Sequence, residues 1–250
     1  MDPSSHKGQN GKVLLIGGSE LFHAASRWSL DVVSAMVDMV FYSSTPENNE
    51  LIHEAKKEFW DGVVVPRGKV EEYLSEADVV LIGPGMTRDD ATEKITNHLL
   101  STYPQKKWVI DAGALQMLDP KLLTNRCVIT PHQGELERVL EKMGGDREKL
   151  LETGVTILLK GETDLVLQGF GQQEISGGNP GMTKGGTGDV LAGLVAGLYV
   201  TTEDPLAAAV VSSFVNKAAG DSLYIKVGPF FKTSELVKEI PITLKEVLGY

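Results

Sequence analysis

The sequence predicts an α/β fold, with helices packed on a mostly parallel central sheet. Three observations carry this. Short β-rich apolar runs alternate with helix-patterned segments along the chain, the order expected of βαβ units. The glycine-rich and polar motifs fall just after strand ends, on the edge where open α/β sheets bind ligands. The 250 residues, 42% hydrophobic and 23% charged, suffice for one domain with a full core and no disulfide staples.

The elements follow in order. Val13-Leu14-Leu15-Ile16 is a first buried strand ending at Gly17-Gly18, and residues 24–37 form a helix. Residues 39–42 are a strand, 49–59 a helix, and 62–65 a strand closed by Pro66. Further strands are 79–82 before Gly83-Pro84-Gly85, 108–110 before Asp111, 128–129 before Thr130-Pro131, and 156–159 before Lys160-Gly161. Residues 165–167 and 172–175 form an antiparallel hairpin around Gly169-Phe170-Gly171. From residue 190 the chain is helical, over 190–200, 205–223 and 234–248. Residues 1–11 read as a flexible leader, and 12–250 as one domain without repeat or linker.

Charge and composition exclude several classes. A net charge of -10 argues against nucleic-acid binding, which needs a basic face. Any anionic ligand must then be held by backbone N–H groups and a few lysines. No run approaches the roughly 18 apolar residues of a membrane span, and residues 1–11 lack the apolar core of a secretory signal. The expectation is a cytoplasmic protein with no membrane partner. The single cysteine, Cys127, lies in an apolar run and reads as a buried structural thiol.

The most informative stretch is Asn179-Pro180-Gly181-Met182-Thr183-Lys184-Gly185-Gly186-Thr187-Gly188-Asp189, directly before an apolar helical run. Glycines let the backbone turn sharply and approach a ligand. N–H groups feeding a helix N-terminus make an anion site. Asp189 stands at its mouth, where a base could meet a phosphoryl-acceptor hydroxyl. No GxGxxG or GxxxxGK[ST] pattern is present, and Lys184 precedes the glycines, which disfavours a dinucleotide dehydrogenase and a Walker-type NTPase.

The other motifs admit two readings each. Gly83-Pro84-Gly85 is a tight turn or a backbone platform for a ligand. Asp111 is a helix N-cap, or a carboxylate that orients a hydroxyl or a metal-bound water. In Thr130-Pro131-His132-Gln133-Gly134-Glu135, His132 and Glu135 suit a helix-capping arrangement, and His132 can also hydrogen-bond a polar ligand. Lys160-Gly161-Glu162-Thr163-Asp164 is a hairpin turn or a nucleotide-binding segment whose lysine neutralises phosphate. The small-residue segment around Ala207-Ala208-Ala209 and Lys217-Ala218-Ala219-Gly220-Asp221 indicates close helix packing.

Together these motifs resemble the ribokinase-like superfamily and, within it, the NAD(P)H-hydrate dehydratase family. The late signature N-P-G-M-A-T-G-G-S-G-D-V-L-x-G stands here as residues 179–193, with Thr183-Lys184 for Ala-Thr and Thr187 for Ser. The T-P-H-x-G-E element is residues 130–135, K-G is Lys160-Gly161, and G-P-G is residues 83–85. The early G-G-S-x-x-Y-x-G-A-P is recognisable from Gly17 to Ser26, with Leu21 for Tyr, Ala24 for Gly and Ser26 for Pro. Gly113 stands where many members carry a second Asp. Lys184 is an additional charge with no assigned role.

The resemblance implies a three-layer α/β/α sandwich and a metabolite-repair chemistry. Hydrated NADH or NADPH (NADHX, NADPHX) would be phosphorylated on its new hydroxyl and lose phosphate, restoring the reduced ring. Asp189 would be the catalytic base and Gly185, Gly186, Thr187 and Gly188 the anion hole. Lys160, Gly161, Glu162, Thr163, Asp164 and Gly188 would hold the nucleotide. Ala25, Gly85, His132 and Asp189 would contact the hydrated substrate, with Asp111, Asn179 and Glu135 in auxiliary positions. ADP is the expected donor, since no eukaryotic targeting segment is present, with ATP as the other; Mg2+ would be held through the phosphates. The 250 residues leave no room for the epimerase domain often fused ahead of this one, so a separate epimerase is the expected functional partner, and a dimer or tetramer the expected assembly. The competing expectations are a hydroxyethylthiazole- or sugar-kinase of the same superfamily and a non-catalytic nucleotide-binding protein.

Overall fold

A computed structural model describes residues 6 and 8–249. The expected leader falls largely outside them. Of its described part, Gly8 and Asn10 donate backbone N–H bonds to the Asp38 carboxylate.

Nine strands form one sheet: β1 (Lys12–Ile16), β2 (Met39–Ser43), β3 (Val63–Val64), β4 (Val79–Ile82), β5 (Lys107–Ile110), β6 (Cys127–Ile129), β7 (Thr156–Leu159), β8 (Asp164–Gln168) and β9 (Gly171–Ile175). Their order is β3-β2-β1-β4-β5-β6-β7-β8-β9. Strands β1 to β7 are parallel, and β8 and β9 add an antiparallel hairpin. The hairpin turns through the two residues between Gln168 and Gly171, with Gly169 at φ 54°, which a right-twisted two-residue turn requires. The chain runs outward from β1 to β3 and then returns to the other side of β1 as β4. This reversal opens a crevice between the carboxyl ends of β1 and β4.

The helices are α1 (His23–Ser34), α2 (Pro46–Ala55), α3 (Val70–Leu74), α4 (Asp90–Thr102), α5 (Ala112–Met117), α6 (Gln133–Glu141), α7 (Arg147–Glu152), α8 (Thr187–Thr202), α9 (Pro205–Val227) and α10 (Thr233–Leu248). Alternate strand side chains point to opposite faces, and this divides the core in two. Val13, Leu15, Val79, Leu81 and Val109 pack with Leu30, Leu194, Val195, Val215 and Leu236 from α1, α8, α9 and α10. Leu14, Ile16, Val80, Ile82 and Ile110 pack with Leu74, Leu99, Leu115, Leu136 and Leu150 from α3 to α7. The result is the expected three-layer α/β/α sandwich. Central strands such as β4 are buried at every position, as parallel strands covered on both faces must be.

Helix starts follow side-chain chemistry. Thr45 caps α2 ahead of Pro46, Asp89 caps α4 and Asp204 caps α9 ahead of Pro205, each oxygen accepting a first-turn N–H. Cys127 is buried and unpaired, and burial pushes its thiol upward, in line with a structural role. Among the described residues no helix is long and apolar enough to cross a membrane.

Candidate active site

Because β1, β4, β5, β6 and β7 are consecutive neighbours, their terminal motifs line up along one edge. Gly17-Gly18, Gly83-Pro84-Gly85, Asp111, Thr130-Pro131-His132 and Lys160 form a row. The glycines allow it to close up. Gly18 N–H donates to Pro84 O at 2.7 Å. A Cβ on Gly83 would fall 1.8 Å from the Asp111 carbonyl oxygen, and one on Gly85 2.9 Å from the Ala25 Cβ. Ala25 and Gly85 are thus in contact at one end of the row. His132 bridges Lys160 at the other, where Lys160 N–H donates to Pro131 O at 2.8 Å.

Asp111 is not the side-chain cap that its position before α5 allows. It occupies the N-cap position without a capping bond, and only 2% of it is exposed. Its Oδ1 instead accepts from Thr130 Oγ1 at 2.7 Å and Lys160 Nζ at 3.0 Å. The next residue, Ala112, is held at φ 45°, a left-handed conformation costly for a residue with a Cβ. Glu135 reaches Lys160 Nζ at 3.8 Å. Burial works to lower the Lys160 ammonium, but Asp111 and Glu135 outweigh it and hold it above the ordinary lysine value.

His132 and Glu135 form the anticipated capping box. His132 Nδ1 accepts from the Gly134 and Glu135 N–H groups, and Glu135 Oε2 accepts from His132 N–H at 2.9 Å. With Nδ1 an acceptor, neutral His132 carries its proton on Nε2, and 58% of its side chain is open to solvent. Capping and ligand contact are therefore compatible.

The glycine loop crosses this row as it enters α8. Gly186 has φ 100°, and a Cβ there would fall 1.9 Å from the Trp28 ring, so α1 fits only against a glycine. The first N–H groups of α8 have no intrahelical acceptor and carry the positive end of its dipole. Thr187 Oγ1 donates to Met182 O at 2.7 Å, which fixes the loop. Asp189 lies in the first turn of α8, half-buried, and its carbonyl accepts from Ser29 Oγ of α1 at 2.8 Å. Burial first, then the Asp111 carboxylate with a smaller push from Glu135, raise the Asp189 carboxyl to about 7 against the pull of Lys160. Such a group is half-ionised near neutrality, the poise of a general base.

A cavity of about 450 Å3 opens on one side of Asp189's loop. Lys160, Gly161, Glu162, Asp164, Asn179, Thr187 and Gly188 line it; Thr163, Gly185 and Gly186 do not. Asp164 serves mainly to fix the turn, accepting from Gly161 N–H at 2.9 Å and Ser213 Oγ at 2.7 Å. Asn179 Oδ1 accepts from Gly181 N–H, and its Nδ2 donates to Asp221 Oδ1, both at 2.9 Å.

The sequence reading assigned the Lys217 segment of α9 to helix packing and passed over Asn216; both residues stand in this wall. Lys217 is 7% exposed. Its ammonium donates to the carbonyls of Gly161 (3.1 Å), Glu162 (2.9 Å) and Gly177 (3.2 Å) and lies 3.4 Å from Asp164 Oδ1. Asn216 Oδ1 is buried without a partner. The available signal was a lone Asn-Lys pair in an otherwise small and apolar helical run. Lys184, in contrast, turns away. It donates to Pro229 O, lies 4.9 Å from the Phe231 ring centroid, and staples the loop to the segment before α10.

Comparison with known proteins identifies the family and the fold. The profile of the NAD(P)H-hydrate dehydratase family matches residues 13–242. The chain is 32% identical to the ADP-dependent (S)-NAD(P)H-hydrate dehydratase of Nitrosopumilus maritimus, over 96% of this chain and 91% of that one. It is 34% identical to the bifunctional NAD(P)H-hydrate repair enzyme Nnr of Methanocaldococcus jannaschii, over 98% of this chain but only 50% of the relative's length. A ribokinase-like superfamily protein of Enterococcus faecalis superposes with a TM-score of 0.84 at 25% identity, over 98% of this chain and 90% of that one. The chain has the ribokinase-like fold and belongs to the NAD(P)H-hydrate dehydratase family.

Proposed function

We propose that residues 12–250 form one dehydratase domain that returns the S form of NADHX or NADPHX to NADH or NADPH at the expense of ADP, with ATP as an alternative donor. One observation carries this: Asp189 directly follows Gly188 of the 450 Å3 cavity wall, and burial together with Asp111 and Glu135 of the strand-end row raises its carboxyl to about 7. A binding protein needs no base at that junction.

The nucleotide fits the cavity. Lys160, Lys217 and the loop N–H groups supply positive potential in a chain of net charge -10, and the orphaned Asn216 Oδ1 awaits a donor such as an amino group of the base. Ionised Asp189 would take the proton of the substrate hydroxyl as its oxygen attacks the terminal phosphorus. The N–H groups of residues 185–188 and the α8 dipole would stabilise charge on the moving phosphoryl group. Lys160 would offset the charge of Asp111 and Glu135, keeping Asp189 ionisable near neutrality. Elimination of phosphate with a ring proton then restores the reduced nicotinamide. Magnesium, when bound with the nucleotide, would neutralise charge on the donor phosphates. No group of three acidic, His or Cys side chains suited to an ion occurs among the described residues.

The bifunctional names of relatives such as that of M. jannaschii support a functional link to an epimerase. A cytoplasmic homo-oligomer, dimer or tetramer, completes the proposal. Incubation with hydrated NADH, ADP and Mg2+ tests the reading. Recovery of the reduced-nicotinamide absorbance supports it; no recovery, with stable phosphorylation of hydroxyethylthiazole or a sugar, replaces it with the kinase reading.

A further inference from the structure

A second cavity of about 520 Å3 opens at the crevice between the ends of β1 and β4, and the roles assigned above leave it unused. Gly18, Ser44, Thr45, Arg67, Met86 and Thr87 contribute to its walls. It adjoins the acceptor end of the active site: a Cβ on Gly85 would lie 3.3 Å from Gly18 Cα and 2.9 Å from Ala25 Cβ. With strands spaced about 4.8 Å apart, the end of β1 lies roughly 10 Å from that of β5, which carries Asp111. A ribose and a phosphate cover such a span.

Arg67 distinguishes this cavity. Its Nη2 donates to the carbonyls of Gly17 at 2.7 Å and Ser43 at 3.5 Å, while Nε is buried without a partner. No carboxylate among the described residues offsets its charge. Burial lowers the guanidinium to about 10, and only the Tyr42 hydroxyl acts against that, so it stays cationic at neutral pH. A half-buried cation lacking a counter-ion carries a desolvation cost, and an entering anion reduces it. The N-terminus of α2, capped by Thr45, lies on the same wall and adds its positive dipole end. Of the acidic residues on the walls, Asp89 is engaged by Thr87 Oγ1 and the Thr92 N–H group, and Glu20 is exposed.

We propose that Arg67 binds a phosphate group of the substrate dinucleotide outside its reacting ring, and so anchors the acceptor against Asp189. The proposal rests on the dehydratase reading for the identity of the dinucleotide. A guanidinium fork suits phosphate oxygens, and two phosphates qualify: the diphosphate common to both dinucleotides and the 2′-phosphate of the NADP type.

Binding of NADH and NADPH to the full chain, measured by calorimetry, tests this without requiring turnover. Arg67→Gln should weaken binding about ten- to hundredfold, the range for a lost charged hydrogen bond. Arg67→Lys, which keeps the charge and loses the fork, should lose less. An equal loss for both dinucleotides identifies the diphosphate; a loss confined to NADPH identifies the 2′-phosphate. ADP affinity should stay unchanged and reports on folding; if Arg67→Gln does not fold, the Arg67→Lys result decides. Wild-type affinity for both dinucleotides in a folded variant overturns the proposal, as does failure of the wild type to bind either one. Wild-type turnover of hydrated NADH is scored separately, so loss of the anchor and loss of the dehydratase reading are distinct results.

Discussion

Asp189→Asn should make the protein more stable while abolishing its turnover. In the folded chain the Asp189 carboxyl rises from 3.8 to about 7, whereas in the unfolded chain it keeps its ordinary value. Between those two values the folded state retains a proton that the unfolded state has released. The raised carboxyl therefore contributes fully below about 3.8 and loses that contribution as pH rises towards 7. The interval spans about three pH units, and each unit is worth about 1.4 kcal/mol. Ionised Asp189 thus costs up to about 4 kcal/mol above neutrality. Asn resembles the protonated carboxyl and does not incur that cost. Urea denaturation of wild type and variant across pH 4 to 8, without nucleotide, reads the difference directly. The two curves should nearly coincide at the acid end, then separate with rising pH and level off above about 7. A variant that is no more stable at pH 8, or a gap independent of pH, would refute the placement of this carboxylate in a desolvated, acid-rich site. Such a gap is the usual cost of a strained functional group.

The same carboxyl sets the acid limb of catalysis: kcat/KM for hydrated NADH should fall tenfold per pH unit below about 7, and a flat profile through that range would remove Asp189 as the base. Gly186→Ala puts a Cβ 1.9 Å from the Trp28 ring at a φ of 100°; we expect a stability loss of about 2–4 kcal/mol in denaturant titration and at least a hundredfold fall in turnover. Lys217→Met leaves three carbonyls and Asp164 without their cation. This should cost about 3 kcal/mol of stability and at least tenfold in ADP affinity by calorimetry. Lys184→Met, by contrast, removes a staple to Pro229 and Phe231 on the far side of the loop, so ADP affinity should stay within twofold.

Much of the sheet could be read from the sequence because its strands are continuous apolar runs closed by glycine, proline or a polar residue. β4 and β7 match that reading to the residue, and β1, β2 and β5 to within one. Helices α3 to α7 have no assigned ranges in that reading, although the cap readings of Asp111 and His132 mark two of their starts. These helices are short, except α4, and their buried side is set by the sheet beneath them. In the site, the glycine loop and the strand-end motifs were recognisable because each needs a particular backbone or charge. Asp111 was ambiguous between a helix cap and a ligand-orienting carboxylate because its actual partner, Lys160, lies 49 residues away. The role of the Lys217 ammonium and the whole of Arg67 were missed for the same reason. A lysine in a helix reads as solvated until tertiary packing buries it against the turn at Gly161 and Glu162, and nothing local to Arg67 indicates that it reaches the end of β1.

The central claim is that Asp189 joins a phosphoryl donor to a hydroxyl acceptor whose phosphate then leaves. Its most direct test is a stoichiometry: inorganic phosphate released per reduced nicotinamide recovered, with hydrated NADH, ADP and Mg2+ and with wild type and Asp189→Asn compared. The account predicts one phosphate per ring restored in the wild type, and neither product in the variant. Reduced nicotinamide recovered without phosphate release, or equal rates in both proteins, would contradict it.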